Sequence, residues 1–338
     1  MIGATPTLSQ HDVTMRLLNP WQHHFPLVTE PFAHLAREMG ESVAWVLMQL
    51  QQAQCAGALS RIGGVFAPEA GGAALLAAMR VPREQLTAVA AQVSAHPGVN
   101  HNYEREADYN LWFVITAACP HSLEAALQQV ECETGLSALR LRMVKSYRID
   151  LGFDMTQPLG HRSARASHAA PAPMQPQDKP LAALVEAGLP LVERPFRVWA
   201  HTLGRTESSV LHTLSTWLSQ GTLRRFGMVV RHHEMGFDAN AMTVFDVPDP
   251  LIDACGERLA RHPGVTLAYR RERATGWPFN LYCMVHGRER ADVEQLIEAL
   301  TRACGLEALP RQVLFSRRRF KQVGARRFRS EVPEVHHA

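Results

Sequence analysis

Apolar positions recur along this chain with two different periods, and the periods alternate in the same order in both halves. Within Thr206–Ser219, the residues Val210, Leu211, Leu214, Trp217 and Leu218 sit at the spacing of one helical face. Gly221 follows where helices commonly end. Thr206 opens the segment without the acidic residue three positions on that a full capping box requires, although Glu207 suits a helix N-terminus. Leu181–Ala187 and Phe196–Leu203 predict two shorter helices before it, and LRRFGMVVRHH from Leu223 predicts a β-hairpin. Three short helices and a hairpin make a winged helix-turn-helix. Beyond it the pattern predicts strands over Ala239–Val247, Val265–Glu272, Phe279–His286 and Leu309–Arg317, with helices over Pro250–Arg261 and Arg290–Cys304. That order, βαββαβ, is the ferredoxin-like split unit. The first half predicts helices near Pro82–His96 and Leu123–Glu133, and strands near Val99–Glu106, Leu111–Thr116 and Ala138–Tyr147.

The two halves are one fold written twice. FPLVTEPF from Phe25 answers LPLVERPF from Leu189, and LSRIGGVF from Leu59 answers LRRFGMVV from Leu223. HPGV from His96 answers HPGV from His262, and YNLWFVIT from Tyr109 answers FNLYCMVH from Phe279. A repeat this long is a fused pair of subunits, since solenoid units are much shorter. Between the copies, about Asp154 to Asp178, proline, alanine, serine and glutamine without apolar periodicity predict a linker. The expected fold class is therefore α+β. Its expected divisions are a winged helix-turn-helix over 1–66, a ferredoxin-like domain over 67–153, the linker over 154–178, a second winged helix-turn-helix over 179–233, a second ferredoxin-like domain over 234–329, and a tail over 330–338.

Composition narrows the function classes. Of 338 residues, 46% are hydrophobic and 20% charged, the balance of a soluble globular chain. No apolar run is long enough to span a membrane, and MIGATPTLSQHDVTM lacks the basic and apolar regions of a signal peptide. The six cysteines, Cys55, Cys119, Cys132, Cys255, Cys283 and Cys304, have neither metal-ligand spacing nor a secreted-type framework. A cytoplasmic location with reduced thiols is expected. The net charge of +3 is too small to imply nucleic acid. Basic residues do concentrate in SRRRFKQVGARRFR, Ser316–Arg329, which reads either as a solvated, frayed tail or as a binder of an anionic ligand or nucleic acid.

A winged helix-turn-helix followed by a ferredoxin-like domain resembles the Lrp/AsnC regulators over almost all of each half. The resemblance implies pairing through the ferredoxin-like sheets, so a tandem copy would form an internal pseudo-dimer with unequal clefts. It raises DNA binding as an alternative. The candidate recognition helices, Glu41–Gln54 and Thr206–Ser219, contain no arginine or lysine, and each begins near a glutamate. Phosphate neutralisation needs cations, so these helices argue against DNA as a partner.

Chemistry is expected where the repeats differ. Arg231, His232 and His233 face Ala67, Pro68 and Glu69 in the alignment, His286 faces Thr116, and His101 faces Leu267. Strand alternation would put Arg231 and His233 on one face and His232 on the other, unless the turn begins there. Structural readings exist for each: an exposed wing for the cluster, a hydrogen-bonding strand end for His286. The complementary placement of histidines in the two halves favours a shared cleft, and Pro68 and Glu69 lead us to expect one productive site per chain.

The stretches RRFGMVVRHHEMGFDANAMTVFDVPD, WPFNLYCMVHGR and GVNHNYEREADYNLWFVIT closely resemble the sirohaem decarboxylases, with a first half of Nir D type and a second of Nir L type. The resemblance covers both repeats, leaving out the linker and the extreme ends. It implies loss of carbon dioxide from the C12 and C18 acetates of sirohaem, giving 12,18-didecarboxysirohaem in haem d1 biosynthesis. Arginine forks suit the macrocycle's many carboxylates, the ring itself can take up electron density, and histidine suits a proton donor near neutrality. His232 and His101, followed by His286, are the expected acid/base or iron-facing residues. Arg225, Arg231 and Arg271 are expected carboxylate clamps, with His233, Tyr103 and Tyr269 beside them. No cofactor is expected beyond the iron of the substrate, to which a histidine would be an axial ligand. The partners implied are sirohaem and didecarboxysirohaem, with other haem d1 enzymes and further copies of the chain as candidate protein partners. A tetrapyrrole sensor that binds without reacting is the second alternative.

Overall fold

A computed structural model of the chain describes residues 10–149, 152, 155 and 171–329; of Gln10, His11 and His232 it describes the backbone alone. Most of the expected linker lies outside the described residues. The first repeat runs through α1 (Gln10–Leu18), α2 (Pro31–Met39), α3 (Val43–Cys55), β1 (Leu59–Phe66), β2 (Ala73–Met79), α4 (Leu86–Ala95), β3 (Val99–Arg105), β4 (Leu111–Ala117), α5 (Pro120–Thr134), β5 (Ala138–Leu141) and β6 (Met143–Ile149). The second runs through α6 (Lys179–Ala187), α7 (Pro195–Thr202), α8 (Glu207–Ser219), β7 (Leu223–Val230), β8 (Ala239–Phe245), α9 (Ile252–Arg261), β9 (Val265–Arg271), β10 (Leu281–Gly287), α10 (Arg290–Ala303) and β11 (Arg311–Gln322). No helix among the described residues is long and apolar enough to cross a membrane.

Local chemistry sets the helix starts. Ser42 and Thr206, both extended in backbone, accept from the amides of Trp45 at 3.1 Å and Ser209 at 3.2 Å and so cap α3 and α8. Pro31 and Pro195 open α2 and α7, where a missing amide costs nothing.

The expected wing hairpin within each repeat does not form. Instead β7 pairs antiparallel with β1 of the other repeat, Gly227 standing opposite Gly63. A Cβ at Gly227 would lie 2.4 Å from the Gln22 carbonyl oxygen, and one at Gly63 would lie 2.6 Å from that of Val185, so backbone passes close at both positions. After Val230 the chain turns at once into a short 3-10 helix, His232–Met235. This shared ribbon joins the two helical domains around a single core, in which Phe25, Phe196 and Trp199 pack on Phe226.

The remaining strands form one sheet in the order β5-β2-β4-β3-β11-β8-β10-β9-β6. β5-β2-β4-β3 come from the first ferredoxin-like unit and β11-β8-β10-β9 from the second, with β6 of the first on the far edge, and the long β11 bridges the units. Arg311–Phe315 pairs with β8, while Ser316–Gln322 pairs with β3. The first repeat does the same with β5 on β2 and β6 on β9. β11 thus runs beyond the predicted end at Arg317, because β3 would otherwise expose unpaired backbone donors and acceptors. Helices α4 and α5 cover one unit, α9 and α10 the other. A further core lies between the units, with Trp112, Leu141, Trp277, Tyr282 and Leu314. The pseudo-dimer expected from the repeat is therefore present.

Candidate functional site

A cleft lies between the β1–β7 ribbon and the sheet strands β3, β11, β8 and β10. It encloses a cavity of about 210 Å³ that opens into about 1170 Å³ of solvent-connected space. Five arginines line it, namely Arg61, Arg225, Arg231, Arg319 and Arg327, against one carboxylate among the described residues, Glu186. His101, His233 and His286 line it as well, with Tyr103 and Asn240. Strand pairing converges these residues from four distant parts of the chain. Tyr103 and His101 sit opposite Arg319 and Gln322, and His286 sits opposite Asn240.

The two strand histidines are held in the same way. His101 has Nδ1 2.5 Å from Asn100 Oδ1, and the Asn100 amide in turn donates to Thr116 Oγ1 at 3.1 Å. His286 has Nδ1 2.9 Å from Thr266 Oγ1, whose hydroxyl donates to the Met284 carbonyl at 3.1 Å. In both, the partner oxygen accepts, so Nδ1 carries the hydrogen and Nε2 is the ring's acceptor. Burial, together with Arg61 for His101 and Arg105 for His286, pulls each imidazole down to about 4. Both are therefore neutral at neutral pH in the free protein. The Tyr103 ring stacks on His101 at 6.3 Å, and burial pushes its phenol up against the opposing pull of Arg105, Arg319 and Arg231.

The arginines differ in how they are held. Arg225, buried, donates from Nη1 to the Gln22 carbonyl at 2.9 Å, and Arg231 donates to that of Gly57 at 3.2 Å. Arg319 pairs with Glu234 and donates to Gln322 Oε1 at 3.2 Å. His233 faces solvent and pairs with Asp238 at 3.0 Å. The side chain of His232 lies outside the described residues; its backbone begins the 3-10 turn, so strand alternation does not extend to it.

Arg271 and Tyr269, named with the site on sequence, are placed elsewhere. They occupy the positions on β9 that Arg105 and Tyr103 occupy on β3. The Arg271 guanidinium is buried over the Tyr269 and Tyr282 rings and donates to the Leu141 carbonyl at 2.9 Å. It ties β9 to the end of β5, as Arg105 ties β3 to β11 by donating to the Leu314 carbonyl at 2.8 Å. Reasoning from the repeat missed Arg61, Arg319, Arg327 and Glu186. Arg319 and Arg327 belong to the basic run Ser316–Arg329, which the alternatives of a frayed tail or a ligand binder left undecided. The described segment is ordered against the fold, and Glu186 accepts from the amides of Arg327 at 3.0 Å and Phe328 at 3.0 Å.

The repeat places a second, pseudo-equivalent set of positions on the matching strands. There Ala67, Pro68 and Glu69 replace the wing cluster, Thr116 replaces His286, Leu267 replaces His101 and Ser146 replaces Arg319. The C-terminal segment, whose Val323, Gly324, Ala325 and Arg327 also line the cleft above, reaches into that set. Arg326 donates its amide to Thr116 Oγ1 at 3.2 Å, Arg327 donates from Nη1 to the Ala67 carbonyl at 3.1 Å, and Phe328 packs its ring 5.0 Å from that of Phe66.

Comparison with known proteins agrees with this architecture. The family described as "Siroheme decarboxylase NirDL-like HTH domain" matches residues 15–59 and 178–224, and "AsnC-like ligand binding domain" matches 70–148 and 234–321. The siroheme decarboxylase NirDL subunit of Paracoccus pantotrophus is 39% identical, covering 94% of this chain and 98% of that protein. A siroheme decarboxylase of Hydrogenobacter thermophilus is 33% identical, covering 94% and 95%. A crystal structure of the siroheme decarboxylase NirDL in complex with an iron-uroporphyrin III analogue is 30% identical, with a TM-score of 0.64 and 95% of each chain covered.

Proposed function

The chain belongs to the sirohaem decarboxylases, a family of carboxy-lyases, and from that premise we propose that the arginine-lined cleft is where sirohaem is bound and decarboxylated. The reaction replaces each of the C12 and C18 acetates by a methyl group: one carbon dioxide leaves and one proton is taken up at each carbon. The observation that supports this site best is the meeting of five arginines with His101 and His286 in a single cleft. Guanidinium forks pair two-point with the carboxylates of the ring. Held there, the reacting acetate loses its water, and the macrocycle takes up the electron pair released as the carbon–carbon bond breaks.

His101, His286 and His232 are the proposed proton donors or iron-facing groups, His232 on the sequence alone. A neutral imidazole tethered through Nδ1 offers Nε2 as an iron ligand, and with a proton there it is an acid. The bound carboxylates supply the negative charge that favours the protonated form, so substrate binding itself arms the donor. Arg225, Arg231 and Arg319 are proposed carboxylate clamps, with Tyr103 beside His101. Arg271 and Tyr269 have a structural role in this proposal. No cofactor beyond the substrate's iron is invoked. Cytoplasmic location is supported by six cysteines that stand as free thiols. Product passing to other haem d1 enzymes follows from the chemistry of the pathway. DNA is disfavoured as a partner by α3 and α8, which carry no arginine or lysine.

The test is anaerobic incubation of the purified chain with sirohaem, followed by mass. Loss of two carbon dioxides is the expected result. Binding without loss of mass, in ferrous and ferric forms alike, would leave the cleft a tetrapyrrole sensor.

A further inference from the structure

Arg61 on β1 and Arg225 on β7 are the same residue of the repeat, yet they are held differently. Arg225 donates to the Gln22 carbonyl at 2.9 Å. The residue matching Gln22 in the second repeat is Glu186, and among the described residues Arg61 makes no ion pair with it. The one hydrogen bond of the Arg61 side chain among those residues is a long contact from Nη2 to the Gly64 carbonyl, 3.5 Å away on its own strand. Its Nε is buried with no partner there. Burial, then the charges of Arg225 and Arg329, pull the guanidinium down to about 10, against a smaller opposing pull from Glu186. Room is kept for the side chain: a Cβ at Gly324 would come within 2.8 Å of Nη1, and one at Gly188 within 2.9 Å of the arginine's own Cβ.

A buried cation with nothing to offset it destabilises a fold, whereas the same cation beside a bound anion is a recognition element. We propose that Arg61, which the sequence did not single out, grips a carboxylate of the tetrapyrrole beside His101. This rests on the reading of the cleft as the sirohaem site. The other lining arginines each have a carbonyl or carboxylate from another element already in place; Arg61 has its fork unsatisfied until substrate arrives. A planar two-point donor fits a carboxylate, and lysine would keep the charge without the fork.

Titration of the full chain with iron-uroporphyrin III, followed by its absorbance, tests the proposal alongside thermal unfolding of the free protein. Arg61→Gln should weaken binding roughly 30-fold or more. Arg61→Lys should weaken it by less, and so should Gly324→Ala, which crowds Nη1 without removing the charge. Free Arg61→Gln should unfold at the same temperature as the unaltered chain or higher, since a poorly satisfied buried charge is gone. Unchanged affinity in Arg61→Gln, with the unaltered chain binding normally, would overturn the proposal. So would weakened binding accompanied by a lower unfolding temperature, which marks a guanidinium that holds the fold. If the unaltered chain takes up no iron-uroporphyrin III, the sirohaem reading of the cleft falls, and this proposal with it.

Discussion

The two clefts of this molecule are built on the same strands in the same register, and they differ in what the strands carry. One is lined by Arg231, Arg319, His101 and His286; the other has Ala67, Ser146, Leu267 and Thr116 at the matching places. The C-terminal segment touches both: Val323, Gly324, Ala325 and Arg327 line the first, while Arg326 and Arg327 bond to Thr116 and Ala67 of the second. Duplication supplies two scaffolds, and folding requires both. In our proposal catalysis uses one, which leaves the second free to become packing. Arg105 and Arg271 show what stays: Arg105 is buried and Arg271 partly so, and both link the repeats by donating to a strand carbonyl, 2.8 Å from Leu314 and 2.9 Å from Leu141.

The largest effect should come from emptying the furnished cleft. His101→Ala should reduce decarboxylation by roughly 10²-fold or more, measured by the mass of the tetrapyrrole in single-turnover samples. A rate within a factor of two of the unaltered chain would remove His101 from the chemistry. Furnishing the other cleft should do nothing by comparison. The double replacement Leu267→His and Thr116→His, placed in the His101→Ala background, should restore no turnover while the C-terminal segment reaches into that set of positions. Recovery of turnover would show that both clefts can work.

Acid should separate the clefts next. His101 and His286 have folded values near 4, below the ordinary 6.5, so the unfolded chain binds more protons between those values. The stability of the free protein is then full above about pH 6.5 and falls as the pH drops toward about 4. Replacing both histidines with leucine should flatten that part of the urea-midpoint profile. Iron-uroporphyrin III should shift the loss to lower pH, since its carboxylates favour the imidazolium forms. A profile unaffected by the double replacement would contradict the burial of the two rings.

How much of this was legible in the sequence differs element by element. The helices were, because a spacing of three and four residues reports one buried face wherever the partner lies. The ferredoxin-like units were too, since strands and helices alternate in a fixed order. The partner of β7 was not. Nothing in LRRFGMVV distinguishes a strand that folds back on itself from one that pairs with a strand in the other repeat. The extension of β11 to Gln322 was hidden for a related reason: RRRFKQ lacks the apolar alternation of a core strand, and pairing with β3 is what makes it one. His101, His286, Arg231 and His233 were found by asking where the copies differ. That question passed over Arg61, which both copies keep and each uses differently. Arg271 and Tyr269 were named from positions that the copies share, and their counterparts in the first repeat, Arg105 and Tyr103, adjoin or line the furnished cleft.

Two smaller effects sharpen the contrast. Glu186→Gln should loosen the C-terminal segment, because its carboxylate accepts from the amides of Arg327 and Phe328. A loss of about 1–3 kcal/mol of stability is expected by denaturant unfolding, with faster amide exchange at those two residues. Unchanged exchange would mean that Phe328 packing alone holds the segment. Smallest of all should be Ser146→Ala, at the place matching Arg319. Stability should stay within about 0.5 kcal/mol and turnover at the unaltered rate; a clear loss of turnover would give the second cleft a role.

The central claim is that one furnished cleft per chain binds the tetrapyrrole. The most direct measurement is the stoichiometry of iron-uroporphyrin III on the purified full-length chain, titrated at concentrations well above the dissociation constant. One ligand per chain is the predicted result. Two per chain, bound with comparable affinity, would contradict it.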